Sequence, residues 1–226
     1  MSEGTVFITG ANKGIGYATA KAFLQNDFRV VMGVRDMNKG RIALEELSSF
    51  GEADLLQIDT SDVSSIREAA KELAENNGNL KILINNAGIA GDRRRRAWEY
   101  EPSELLEVYM TDFMGPYELT RQFLPVLDKN GGKVINLVIP VEPMEFFHPF
   151  AYQAGKAPLN VLISNFAFEI EKEGLAVQMI GIKPGTVSTD LNNHAQGKFV
   201  KTPDQAAELI LAAALSNENL NGKIIS

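Results

Sequence analysis

The chain has 226 residues, of which 45% are hydrophobic and 23% charged, with a net charge of −7 and no cysteine. That length predicts one domain spanning residues 1–226, so any binding sites must share it. The acidic balance argues against nucleic-acid and membrane-surface partners, and the missing thiols exclude a disulfide scaffold, thiolate metal ligands and thiol catalysis.

In chain order, Thr5–Ile8 predicts a buried strand, Ile15–Asn26 a helix opened by glycines, Arg29–Val34 a strand and Lys39–Leu47 a helix. Leu55–Ile58 predicts a strand. Val63–Asn76 predicts a helix with Ile66, Ala69, Ala70, Leu73 and Ala74 on one face, and Ile82–Ile84 a strand ending in Asn85 and Asn86. Ser103–Leu127 reads as one long helix with Pro102 in its first turn. Gly132–Val138 predicts a strand, Tyr152–Lys172 a second long helix and Val177–Ile182 a strand. Pro203–Leu215 predicts a helix with Thr202 as its cap and Gln205 closing a capping box. Lys223–Ile225 predicts a short last strand.

Continuous apolar strands alternating with helices predict an α/β fold. The expected form is a doubly wound parallel sheet of about seven strands, helices on both faces, in a single domain. Ligands in such sheets bind beyond the carboxyl ends of the strands. Ala90–Glu101, Ile139–Phe150 and Leu191–Lys201 follow strands and are expected to close a pocket there. No grouping of His, Asp and Glu has metal-ligand spacing. No secretory core is visible and no apolar run reaches the ~18 residues of a membrane span, so a cytoplasmic protein is expected.

The first strand runs into Thr9-Gly10-Ala11-Asn12-Lys13-Gly14-Ile15-Gly16. Glycines let a backbone approach a phosphate, and a helix N-terminus offers it free N–H groups. Alone, such a loop is equally a tight strand-to-helix turn. Three segments follow in order: Asn85-Asn86-Ala87-Gly88, Tyr152-Gln153-Ala154-Gly155-Lys156 and Pro184-Gly185-Thr186-Val187-Ser188-Thr189. Together the four resemble the T-G-x-x-x-G-x-G, N-N-A-G, Y-x-x-x-K and P-G-x-V-x-T signatures of the short-chain dehydrogenase/reductase family. The resemblance covers essentially the whole chain. Asn12–Gly16 and Val34–Asp36 look most like its carbonyl-reductase-like branch.

The resemblance implies a Rossmann-like fold and a nicotinamide cofactor. Gly10, Asn12, Lys13, Gly14, Ile15 and Gly16 would cradle its phosphates, and Asp59 and Thr60 would contact the adenine. Asn86, Ala87 and Gly88 would pack beside the adenosine ribose, and Pro184, Gly185, Val187 and Thr189 would complete the site. Where NAD(H)-using relatives place an acid for the ribose hydroxyl, this chain has Val34. Arg35 and Lys13 would then face a 2′-phosphate, so NADP(H) is expected rather than NAD(H). Asp36 is expected to cap the following helix.

Tyr152 and Lys156, four apart, share a helix face. The resemblance makes Tyr152 the general acid/base. Lys156 would bind the nicotinamide ribose and lower the tyrosine pKa. The family's serine position, thirteen residues before the tyrosine, is Ile139; its asparagine position, three before Gly115, is Asp112. Asp112 is expected to hold a relay water or pair with Lys156. Losing one oxyanion donor costs ~10²–10³ in rate in other enzymes. Two alternatives therefore stand beside NADPH-dependent carbonyl reduction: reduction of an activated C=C or C=N bond, and a non-redox or regulatory role with bound NADP. Ile139, Val141, Phe147 and His148 are candidate substrate-pocket residues, made apolar by Met144, Phe146 and Phe150. Glu142 and Glu145 are candidates for proton chemistry, Arg93–Arg96 for anion binding or a solvated loop, and Trp98 and Tyr100 for the rim. His194 reads as a polar loop residue. The partner is a small-molecule substrate, and the family supplies homodimers, homotetramers and monomers.

Overall fold

The apolar runs become strands because each is covered on both faces. A computed structural model, describing residues 3–76, 78–142 and 149–226, places them in one parallel sheet. Its strands are β1 (Thr5–Thr9), β2 (Arg29–Val34), β3 (Ala53–Gln57), β4 (Leu80–Asn85), β5 (Lys133–Leu137), β6 (Gln178–Ile182) and β7 (Ile224–Ile225). Their order is β3-β2-β1-β4-β5-β6-β7. The order reverses between β1 and β4, which pair directly, with Phe7 opposite Leu83.

Successive side chains of a strand point to opposite faces, and two cores result. Phe7, Leu83 and Val134 join Ile66, Leu73, Phe123 and Leu162, supplied by α3 (Val63–Asn76), α5 (Gly115–Asn130) and α7 (Pro158–Glu173). Val6, Ile8, Met32, Ile135 and Ile180 join Phe23, Leu47 and Ile210, from α1 (Gly14–Leu24), α2 (Met37–Leu47) and α8 (Pro203–Leu215). The Asp36 side chain accepts from the backbone N–H groups of Asn38 and Lys39, so it is the helix cap expected. Thr202 and Gln205 form the capping box at the start of α8.

Two expectations need correction. The region Ser103–Leu127 is not one regular helix. It is α4 (Pro102–Tyr109), a wide π turn at Met110–Met114, and α5. Pro116 has no N–H to donate to the preceding turn, and a Cβ on Gly115 would overlap the carbonyl oxygen of Thr60. The region Tyr152–Lys172 likewise divides at Ala157 into α6 (Phe150–Lys156) and α7, because Pro158 cannot donate either. Among the described residues no helix is long and apolar enough to cross a membrane.

Candidate active site

The glycine loop is stitched to the end of β4 across the point where strand order reverses. The Thr9 hydroxyl oxygen accepts from Asn86 N (3.1 Å) and Ala87 N (3.0 Å). Asn86 Nδ2 donates to Thr9 O (2.8 Å) and Gly10 O (3.2 Å). Gly16 packs so tightly here that a Cβ would overlap Gly10 O. Gly10 and Gly14 adopt φ of 68° and 57°, a left-handed region that only glycine enters freely. An open groove of about 420 Å³ runs from Asn12, Lys13 and Gly14 along Tyr17, Lys39 and Glu46, between α1 and α2. Ile15 lies in the first turn of α1, whose N-terminus faces this loop.

At the end of β2 Val34 is buried, and Arg35, the next residue, is exposed. Asp59 follows β3 and accepts from Ser61 N (2.9 Å) and Ser61 Oγ (2.6 Å). Burial alone would raise its pKa, but the Ser61 hydrogen bonds and the nearby charge of Arg35 hold the carboxyl below its ordinary range. Thr60 is buried against Gly115, tying the end of β3 to α5. Pro184, Gly185, Val187 and Thr189 follow β6, with Gly185 at φ 82°. There Val187 bridges to Lys201, and Thr189 Cγ2 lies 3.3 Å from where a Gly14 Cβ would be.

The π turn carries Asp112 into the interior, where it is fully buried. Its Oδ1 accepts from Ile89 N at 2.8 Å. Among the described residues its Oδ2 has no hydrogen-bond partner. Burial pushes its pKa up to about 6, against the opposing pulls of Lys156 and the Ile89 N–H. Lys156 is also buried and donates to Leu137 O at 3.2 Å. Burial lowers its pKa, and Asp112 pulls the other way. Both charged groups approach Gly88: a Cβ there would lie 3.2 Å from Asp112 Oδ2 and 3.4 Å from Lys156 Nζ. The expected Asp112–Lys156 pairing is thus a convergence rather than a direct ion pair, since each group has its own backbone partner.

Tyr152 lies one turn before Lys156, whose Nζ is 6.0 Å from the tyrosine ring centroid. The lowering expected from Lys156 is not expressed in this structure. Burial pushes the hydroxyl above its ordinary range and Asp112 pushes it further, against the opposing charge of Arg93.

Comparison with known proteins decides what this site belongs to. The family model for short chain dehydrogenase matches residues 4–198. The chain belongs to the short-chain dehydrogenase family. An uncharacterized oxidoreductase of Schizosaccharomyces pombe is 31% identical over 225 residues, covering 91% of this chain and 87% of that one. Human retinol dehydrogenase 11 is 30% identical, covering 98% of this chain and 76% of its own length. Two solved structures share the fold. An alcohol dehydrogenase from Thermococcus sibiricus, complexed with 5-hydroxy-NADP, has a TM-score of 0.86 at 23% identity, covering 99% of this chain and 95% of that one. A 3-ketoacyl-(acyl-carrier-protein) reductase from Brucella melitensis, complexed with NADH, also has 0.86, at 22% identity, covering 99% and 96%.

The loops of this short-chain dehydrogenase divide the remaining candidates. Ile139 is half-buried just past β5, and Val141 is exposed. Phe147 and His148, with Met144, Glu145 and Phe146, lie outside the described residues. Glu142 is exposed, and its backbone carbonyl accepts from Gln153 Nε2 at 2.8 Å. The arginine run is not uniform. Arg95 is paired with Glu104 at 2.6 Å, and Arg96 lies over the Trp98 ring. Arg93 is half-buried and its charge acts on Tyr152. The Tyr100 ring contacts Phe150. Sequence reasoning missed the partner of Lys13: its Nζ lies 2.6 Å from Asp190 Oδ2. His194 is the exposed polar loop residue expected, and its Nε2 is 2.9 Å from Asp190 Oδ1. The two segments lie 177 residues apart, and no local pattern announces the contact.

Proposed function

We propose that this oxidoreductase uses NADPH to reduce a carbonyl group of a small hydrophobic substrate, within one domain of residues 1–226. The observation that carries the reading is the meeting of Lys156 Nζ and the Asp112 carboxylate over Gly88, one helical turn from Tyr152. A nicotinamide dinucleotide fits the residues present: Gly10 and Gly14 give the loop its left-handed turns at the N-terminus of α1, and Asp112 Oδ2, without a hydrogen-bond partner among the described residues, approaches Gly88. When bound, the cofactor supplies the hydride. Gly10, Asn12, Lys13, Gly14 and Gly16 would hold its phosphates, and Lys156 would hold a ribose hydroxyl. Val34 cannot accept from a ribose hydroxyl, and Asp59 is engaged by Ser61. Exposed Arg35 is then the group that supports NADP(H) over NAD(H).

Tyr152 would give its proton to the substrate oxygen. Burial keeps the hydroxyl protonated near neutral pH, and the charge of Lys156 would have to offset that burial for the proton to be passed on readily. A second reading, reduction of an activated C=C or C=N bond, is favoured by Asp112. A carboxyl pushed up to about 6 retains a proton for part of the time near neutral pH, and Ile139 offers no hydroxyl to a ketone oxygen.

The test follows nucleotide oxidation with ketones, enones and cyclic imines, each offered NADPH and NADH. Ketone-dependent NADPH consumption that falls by ~10²-fold or more in Tyr152→Phe is expected. Nucleotide binding with no consumption by any acceptor would overturn both redox readings.

A further inference from the structure

Lys13 is the only charged side chain of the glycine loop, and in the structure it is engaged. Asp190 Oδ2 lies 2.6 Å from its Nζ, and the second carboxylate oxygen lies 2.9 Å from His194 Nε2. The segment presenting Asp190 is tightly wound. Asp190–Asn192 form a single 3-10 turn, Thr189 N donates to Asn192 Oδ1 (3.0 Å), and His194 N donates back to Thr189 O (2.9 Å). Closing that turn puts two successive non-glycine residues, Asn193 and His194, at φ of 55° and 52°. Side chains adopt this left-handed region only at a cost, and persistent strain of this kind points to a role for what it positions. Here it positions a carboxylate, braced by an imidazole, against the loop cation. Lys13 and His194 keep the Asp190 carboxyl below its ordinary range, so it stays ionised.

An anion approaching Lys13 therefore meets a negative charge already seated on it. We propose that Asp190 is a specificity-determining residue that competes with the 2′-phosphate of the cofactor for Lys13, and so sets how strongly the site prefers a phosphorylated dinucleotide. The inference rests on the NADP(H) reading above. Both pair members are about half-exposed. Removing the competitor should then change affinity by the severalfold that exposed ion pairs are worth rather than by orders of magnitude.

Calorimetric binding of adenosine 2′,5′-bisphosphate and of 5′-AMP tests this without turnover. In Asp190→Asn the bisphosphate is expected to bind about threefold more tightly, with 5′-AMP unchanged. His194→Gln, which leaves the carboxylate but removes its brace, should give a smaller gain of the same sign. In Lys13→Met the gain from Asp190→Asn should vanish, since there is no amine left to release. Equal changes for both nucleotides would mean a purely structural contact and would overturn the proposal, as would weaker bisphosphate binding in Asp190→Asn. A wild-type protein that binds the two nucleotides equally would refute the NADP(H) reading and this inference together. A wild-type preference with no gain in Asp190→Asn refutes the role of Asp190 alone.

Discussion

Asp112 and Lys156 face each other across a glycine. A Cβ on Gly88 would stand 3.2 Å from the carboxylate and 3.4 Å from the ammonium. Both residues are buried, and among the described residues one carboxylate oxygen has no hydrogen-bond partner. The first prediction comes from the cost of that burial. The Asp112 carboxyl is pushed up to about 6 from an ordinary value near 4. The folded chain then binds a proton more tightly than the unfolded chain, so stability falls as pH rises through this window. Two pH units correspond to about 3 kcal/mol. Urea melts of wild type and Asp112→Asn should diverge by up to this amount between pH 4 and pH 7, in favour of the variant at the higher pH. A difference that stays constant over the range would show that Asp112 does not titrate there.

Glu118 has the opposite sign. It is buried in α5 and accepts from Arg67 (2.9 Å), Arg121 (2.8 Å) and Gln122 (2.8 Å). The Arg121 hydrogen bonds lead in holding its pKa down at about 2, against burial, which would raise it. A depressed folded pKa stabilises above the unfolded value, near 4, and that contribution is lost as pH falls toward 2. Both arginines are substantially exposed, so solvent screening leaves about 1–2 kcal/mol at neutral pH. Glu118→Gln should lower stability by that much at pH 7, with the deficit shrinking in acid. A deficit that grew in acid would contradict the assignment.

Lys133 secures the end of a helix rather than a site. Its amine donates to the carbonyls of Ala214 (2.9 Å) and Ser216 (2.6 Å) at the C-terminus of α8, where a cation also complements the helix dipole. Lys133→Met should cost about 1–3 kcal/mol in a denaturant melt. Nucleotide affinity of the folded fraction should not change, and a loss of affinity without a loss of stability would place Lys133 elsewhere in the mechanism.

The NADP(H) reading proposed above rests on Arg35. Arg35→Ala is expected to raise the KM for NADPH tenfold or more and to leave that for NADH within about threefold, as loss of a charge-assisted phosphate contact would. Equal changes for the two cofactors would remove the phosphate role.

Ile139→Ser would place a hydroxyl just past β5. If carbonyl reduction is limited by a missing donor, kcat for ketones should rise by ~10-fold or more, toward the ~10² that one such donor is worth. A fall in kcat would assign the aliphatic side chain to a different acceptor, such as an enone or imine.

Where sequence and structure agree, the agreement has local causes. Val63–Asn76 and Pro203–Leu215 were readable to the residue because an apolar stripe at helical spacing ends in caps and breakers. Arg29–Val34 was readable because a β-branched run sits between turn residues. The glycine loop and the Tyr152–Lys156 spacing were legible because backbone chemistry and helix pitch fix them. The π turn at Met110–Met114 was not legible, since one widened turn barely disturbs the apolar pattern around it. Nor was the upward shift at Tyr152. It comes first from burial and then from Asp112, which lies 40 positions away in sequence and sits in that turn. Asp190 escaped notice for the same reason: its importance lies in a contact with Lys13, not in its own neighbourhood.

The Thr9 hydroxyl and the Asn86 amide, which join the glycine loop to the end of β4, have one more consequence. The sheet has a left wing, β3-β2-β1, and a right wing, β4-β5-β6-β7, and β1 and β4 alone share a ladder between them. A nucleotide seated on the glycine loop would rest on both wings at that seam. It would act as a removable cross-link between the two wings, so nucleotide occupancy and resistance to unfolding should rise together by mass action.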